Sequence, residues 1–262
     1  MNSIWTTPAV AACLSLAATA SLAADLRVAV NQGNPPFEFE DRNGKLTGFE
    51  VEVIQAVAQR LNKSVEFSSM PFNMLFAAVQ SGRADVALGA ITITAKRLEN
   101  VAFTQPIIDS NQCVAALSDG PVKRVEQLKG RDVGVITGTV GEIWAARSQQ
   151  EHAYKEIRRY DGNIEPMMDL ASQRTAASIN DCPIMAWYIR DKPQFSIIHE
   201  VMTGDRNALM LPKASPLLDA INQEIGRMKT DGSLPGLYRK WFNAEAGPQS
   251  STVKIEAIPA VQ

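Results

Sequence analysis

The strongest constraint on this chain is a change of hydrophobic period that repeats along its first third. Residues 26–30 form an apolar run of strand length, and Val53, Ile54, Val57, Ala58 and Leu61 then recur at helical spacing. A second run covers 65–68. Phe72, Leu75, Phe76 and Val79 follow at i, i+3, i+4 and i+7, stopped at Gly82, and a third run covers 84–88. Each helix has one apolar face to bury, and a parallel pair of strands needs a crossover between them, so the pattern predicts an α/β unit with a parallel, doubly wound sheet. Such sheets take ligands at the carboxyl ends of their strands. The loop 31–36, Phe72 and residues 89–92 all fall at or beside those ends.

Residues 88–97 read Leu-Gly-Ala-Ile-Thr-Ile-Thr-Ala-Lys-Arg. The strand ends in small residues and two threonines, and a helix start follows with Thr94 placed as N-cap. Backbone at Gly89 and Ala90 can approach a ligand closely, Thr92 supplies a hydroxyl, and Arg97 can make a two-pronged contact with a carboxylate. That set suits a small organic acid. The alternative is local: Thr94 caps, and Arg97 pairs with solvent or with Glu99.

The alternation resumes after residue 117. A short helix at 125–128, a strand at 133–136, a loop at 137–139 opening a helix through Trp144, then segments at 155–160, 164–171, 175–179 and 184–189 make a second α/β unit. A last strand near 207–211 precedes a helix with Leu218, Ile221, Ile225 and Met228 on one face, and a short helix at 235–242. The expected organisation is a first lobe over 24–110, a second over 111–205, a return segment of the first over 206–243, and a frayed, polar, Pro-containing tail over 244–262. Two chain crossings join the lobes, with a cleft between them.

Residues 1–23 carry no charged side chain, and an Ala-rich apolar run ends in Ser21-Leu22-Ala23, a small-x-small pattern. This predicts a secretory signal peptide, too short for a permanent span, and hence a periplasmic protein. Residues 10–13 loosely match a lipoprotein cleavage box ending at Cys13, a secondary reading. The chain has 262 residues and a net charge of -2. Without a basic stripe or an RNA-binding signature, nucleic acid is not an expected partner. After cleavage only Cys113 and Cys182 remain, either paired in an oxidising compartment or buried as free thiols. His152 and His199 stand apart from one another and from any Cys at ligand spacing, so neither a metal nor a cofactor is expected.

From about residue 26 to 242 the chain resembles the family 3 extracellular solute-binding proteins, the periplasmic receptors for polar amino acids in bacterial ATP-driven importers. The pieces that carry the resemblance are Pro35-Pro36-Phe37-Glu38-Phe39, Gly44 to Val51 (Gly-Lys-Leu-Thr-Gly-Phe-Glu-Val), Val79-Gln80-Ser81-Gly82-Arg83-Ala84-Asp85 and Ile91 to Arg97. Leu128-Lys129-Gly130-Arg131-Asp132-Val133-Gly134-Val135, then Lys229-Thr230-Asp231-Gly232-Ser233 and Tyr238-Arg239-Lys240-Trp241-Phe242, complete the set in the family's order. The resemblance implies a two-lobed type II periplasmic binding fold, a free amino acid as ligand, an ABC permease as partner and a monomeric working unit. It places the ligand's α-carboxylate on Thr92, Arg97 and the backbone at Ala90, facing the helix N-terminus that follows Thr139. The α-ammonium falls to Asp181, whose place before an apolar helix otherwise reads as an N-cap. Phe72 matches a wall against the ligand side chain, or is a core residue of its helix.

Several positions depart from the family's pattern. Asn31 stands where many relatives have Asp, Asn34 where they often have an aromatic lid, Val140 where Thr or Gly is frequent, and Ile136 where glutamine-binding members carry Lys. Ala176 replaces a frequent Asp. With Asn31 uncharged and Asp181 committed, a basic side chain lacks a counter-charge, so the expected ligand is a small neutral amino acid, polar or modestly apolar, taken up by hinge closure without catalysis. Two other classes stay open. One is an enzyme like the cyclohexadienyl dehydratases, for which Glu38 and Glu142 are the acids nearest cleft segments. The other is a sensing or accessory binding protein.

Overall fold

The computed structural model describes residues 26–31 and 33–260; the predicted signal peptide and Cys13 lie outside them. In chain order the first half runs β1 (Leu26–Val30), β2 (Phe39–Glu40), β3 (Leu46–Thr47), α1 (Phe49–Arg60), β4 (Val65–Ser69), α2 (Phe72–Gln80), β5 (Val86–Leu88), α3 (Ala95–Leu98), β6 (Val101–Phe103) and β7 (Ile108–Leu117). A 3-10 turn at Val125–Leu128 leads to β8 (Asp132–Ile136), α4 (Val140–Arg147), α5 (Gln149–His152), β9 (Glu156–Tyr160), α6 (Glu165–Ala171), β10 (Ala177–Asp181) and α7 (Cys182–Ile189). The chain closes with β11 (Phe195–Asn207), β12 (Met210–Pro212), α8 (Leu218–Thr230) and α9 (Ser233–Phe242).

These strands build two five-stranded sheets, one per lobe. The first has the order β4-β1-β5-β12-β6 and the second β11-β7-β10-β8-β9. Both are mixed rather than parallel throughout. β4, β1 and β5 run parallel, as the repeating period requires, but β12 is antiparallel to both β5 and β6. In the second sheet β10, β8 and β9 are parallel while β7 is antiparallel to β10 and β11. The departure comes from return segments, which enter a sheet from the other end and carry no crossover helix to announce their direction.

Each sheet is buried on two faces. In the first lobe, Val53, Ile54 and Val57 of α1 pack with Ile221, Ile225 and Met228 of α8 over one face, and Leu75 and Val79 of α2 cover the other. A buried side chain of this kind contributes roughly 1.5–3 kcal/mol of transfer free energy. In the second lobe, Ala145 of α4 and Leu128 cover one face, and Met167, Leu170 and Met185 of α6 and α7 the other.

The crossings between lobes include β7 and β11, paired antiparallel from Phe195↔Leu117 to Asn207↔Ile108 with two register shifts on the way. β11 has no counterpart in the sequence reading. Its alternating burial comes from one face on the protein and one in solvent, and His199, Glu200, Gly204, Asp205 and Arg206 dilute any apolar run. The expected frayed tail is also corrected: Ser251 and Thr252 are buried. Ser251 donates to Asp109 at the start of β7, Thr252 donates to the Ile107 carbonyl, and Lys229 Nζ donates to the carbonyls of Pro106 and Lys254. Polar composition misled here because this segment is fastened by hydrogen bonds rather than by apolar contacts.

Candidate functional site

Two strand ends of the first lobe form one wall of the cleft. β1 ends in Asn31, whose N–H donates to the Leu88 carbonyl of β5 at 3.1 Å. β5 ends in Gly89, where a Cβ would come within 2.8 Å of Leu75 Cδ1 and 3.3 Å of Asn31 Cβ, so any side chain there would push Leu75 of α2 aside. Ala90 then adopts a positive φ of 50°, a strained conformation for a residue with a side chain.

What holds this loop is buried beneath it. Glu50, in the first turn of α1, accepts from the N–H groups of Gly89 and Ala90 at 2.9 and 3.0 Å through Oε2. Glu38 accepts from Asn34 Nδ2 at 2.7 Å. Both carboxyl groups are fully buried, and Glu38 Oε2 and Glu50 Oε1 have no hydrogen-bond partner among the described residues. Burial raises Glu50 to about 7 and, with the Glu50 charge alongside, raises Glu38 well above the usual carboxylate range. Glu38 thus stands under Asn34 and Glu50 under the Gly89–Ala90 turn, the two carboxyl groups buried close enough for the Glu50 charge to raise the affinity of Glu38 for a proton. Gly48, φ 132°, makes this approach possible, since a Cβ there would lie 2.1 Å from the Phe37 carbonyl oxygen.

Arg97 rises from α3, whose N-cap Thr94 accepts from the Arg97 N–H. Its guanidinium donates to the Thr92 carbonyl at 2.7 Å and lies 5.5 and 5.2 Å from the ring centres of Phe72 and Phe76. It also donates across the cleft to the Gly138 carbonyl at 3.0 Å. Among the described residues no carboxylate lies within ion-pair distance of it. Burial lowers it to about 10, while Asp181 and Asp205 pull the other way.

The opposite wall belongs to the second lobe. β10 ends in Asp181, which stands at the N-cap of α7 but makes no side-chain cap bond. Its carboxylate accepts instead from Gln112 Nε2 at 2.5 Å and Asn207 Nδ2 at 3.2 Å. Burial pushes it up to about 6, against the lowering pull of those two amides. One residue beyond each end of this pairing, Cys113 and Cys182 form a disulfide, closing the alternative left open by the sequence. Thr139 caps α4, accepting from the Glu142 N–H at 3.3 Å, while its own hydroxyl donates to the Ile136 carbonyl at 2.7 Å. The start of α4 therefore faces the cleft through backbone N–H groups and the helix dipole.

Asn31, Asn34, Phe72, Ala90, Thr92, Arg97, Thr139, Val140 and Asp181 all line one space of about 320 Å³ between the lobes. Phe72 satisfies both of its readings, lining this space and packing in the core with Leu75 and Ile91. The Ala90 N–H is spent on Glu50, so that donor is not free for a ligand's carboxylate. Glu38 and Glu142 do not line the space; Glu142 accepts from the Gly138 N–H at 2.7 Å and from Arg159. Three lining residues, Asn163, Asn180 and Ile184, escaped the sequence reading. Short amides just past β9 and at the end of β10 were the available signal, since strand ends are where such sheets bind ligands. Among the described residues no group of three or more His, Cys, Asp or Glu is placed to hold a metal, and no helix is long and apolar enough to cross a membrane.

Comparison with known proteins agrees with this architecture. The L-cystine-binding protein TcyJ of Escherichia coli (strain K12) is 31% identical over 215 residues, 80% of each chain. The arginine-binding extracellular protein ArtP of Bacillus subtilis (strain 168) is 27% identical over 254 residues, 92% of this chain and 98% of its own. Among solved structures, an ancestral arginine-binding protein bound to glutamine superposes with a TM-score of 0.78 at 33% identity, covering 84% of this chain and 98% of that one. These relatives are named as binding proteins and not as enzymes. The profile of bacterial extracellular solute-binding proteins, family 3, matches residues 26–244, more than half of the chain, and the chain belongs to that family.

Proposed function

We propose that this protein captures a free α-amino acid with a neutral side chain in the periplasm and delivers it to the permease of an ABC importer. The observation that carries the reading is the placement of Arg97 and Asp181 on facing walls of one space between the lobes, each without an ion-pair partner among the described residues. A zwitterion meets both. Its carboxylate is taken by Arg97, the Thr92 hydroxyl and the N-terminus of α4; its ammonium is taken by Asp181 and the Ala90 carbonyl. Both lining charges are then used on the main chain of the ligand. Asn31, Asn34, Ile136, Val140 and Ile184 leave none for a basic or acidic side chain.

Relatives named for cystine and arginine, and an ancestral relative holding glutamine, place neutral and basic ligands on this scaffold, so charge at the side-chain wall is the deciding quantity. The lobes, taken as residues 24–110 with 206–243 and residues 111–205, close about β7 and β11. A ligand that touches both walls binds the closed form better and so shifts the population toward it. Isothermal titration of the ligand-stripped protein against the proteinogenic amino acids and L-cystine tests this. Tight binding of a neutral amino acid, lost in Arg97→Ala, is expected; preference for arginine or lysine overturns the neutral assignment.

A further inference from the structure

The space between Arg97 and Asp181 is not closed on all sides. Asn163, Asn180 and Ile184 line it and also line a second, larger space of about 1120 Å³, including its open mouth. In the first lobe the divide is the short side chain of Asn34, which lines the inner space while its neighbours Gly33 and Pro35 line the outer one. The apolar surface of the outer space comes from Phe39 of the first lobe and Ile164, Met167, Met185, Trp187 and Tyr188 of the second, with the charged Glu40, Arg190, Asp191 and Lys192 also on its walls. Trp187 is held from both sides. Its ring lies 6.2 Å from that of Phe39 and 6.3 Å from that of Trp241, and the Arg190 guanidinium sits 3.6 Å over it.

At the junction stands a polar group with nothing to bind. Asn163 Oδ1 accepts from Asn180 Nδ2 at 3.0 Å, while Asn163 Nδ2 is buried with no hydrogen-bond partner among the described residues. A buried donor left unpaired is unfavourable, which favours an acceptor atom arriving there with a ligand.

Resting on the amino-acid reading above, we propose that the cleft continues past the α-carbon site into a second subsite. The substrate class is then α-amino acids whose side chain carries an acceptor atom, such as a thioether sulfur, followed by a large apolar group. The acceptor meets Asn163 Nδ2, and the apolar group lies in the outer space against the touching Phe39 and Trp187 rings, adding contacts from both lobes to the closed form.

The test is titration of S-methyl-, S-butyl- and S-benzyl-L-cysteine into the full mature protein and into Ile164→Trp. Ile164 is 54% exposed and lines the outer space alone, so the substitution narrows that space without disturbing the core. Affinity is expected to rise at least about tenfold from the methyl to the benzyl ligand. Ile164→Trp should abolish that rise while leaving S-methyl-L-cysteine within about twofold. Trp187→Ala should also reduce the rise. Binding of the short ligand with no gain for the longer ones, or a gain that survives Ile164→Trp, overturns the subsite and leaves the proposed function standing. Absence of binding by these ligands and by every free amino acid overturns both.

Discussion

The two walls of the cleft carry opposite charge and are braced by opposite means. The first-lobe wall presents Arg97 and rests on two buried carboxyl groups, Glu38 under Asn34 and Glu50 under the Gly89–Ala90 turn. The second-lobe wall presents Asp181, positioned by the Gln112 and Asn207 amides and by a disulfide one residue away. In neither lobe does the brace neutralise the charge on its wall. On the proposed function each of these charges meets one supplied from outside, and a zwitterion is the smallest ligand that supplies both.

The comparison breaks first at the charges themselves. Arg97→Ala and Asp181→Asn should each weaken amino-acid binding by about 2–5 kcal/mol, measured by calorimetry, because the unmatched ligand charge stays in the cleft. Equal binding by either variant would remove the zwitterion argument.

The second-lobe brace is tested by Cys113→Ser with Cys182→Ser. Closing a span of 69 residues, the disulfide should contribute about 2–4 kcal/mol to unfolding stability in denaturant melts. Because Asp181 adjoins Cys182, affinity should fall with it; stability lost with affinity intact would show that the amides alone position Asp181.

The first-lobe brace is tested by Glu50→Leu, which leaves two buried N–H groups unpaired and should cost about 1–3 kcal/mol per group. Its pH signature has a definite sign. Glu50 holds its proton in the folded protein up to about 7 and loses it near 4.5 when unfolded, so the folded state binds more protons in between. Stability should therefore fall as pH rises from about 4.5 to 7, and Glu50→Gln should flatten that slope in urea melts.

The smallest effect sharpens the contrast. Asp181 must be ionised to hold an ammonium, and it protonates at about 6. Affinity should fall by up to about tenfold per unit as pH drops below 6, and the slope should vanish in Asp181→Asn. A pH-independent affinity in the wild type would show that the ammonium is held elsewhere.

Much of this was legible in advance for one reason: local periodicity reports what a segment must bury. The period changes over residues 26–88 reveal β1, α1, α2 and β5 because each buries an apolar face, and the edge strand β4 because its alternate Val65 and Phe67 pack partly buried against the core. Arg97 and Thr92 were legible because their residue types at a strand-to-helix junction have few other uses. β11 was not, since a strand half in solvent and rich in polar residues carries no such run. Nor was the fastening of residues 251–254, which depends on Asp109 and Lys229 far away in sequence.

By itself the sequence determined the class of fold, the family resemblance and, from strand ends and helix starts together with that resemblance, residues that line the cleft, among them Thr92, Arg97 and Asp181. Only the tertiary structure decided that Cys113 bonds Cys182, that Glu50 rather than a ligand takes the Ala90 N–H, and that Asn163 stands with a free donor between two spaces. Each of those joins residues far apart in sequence, so their pairing exists only once both lobes have folded and met.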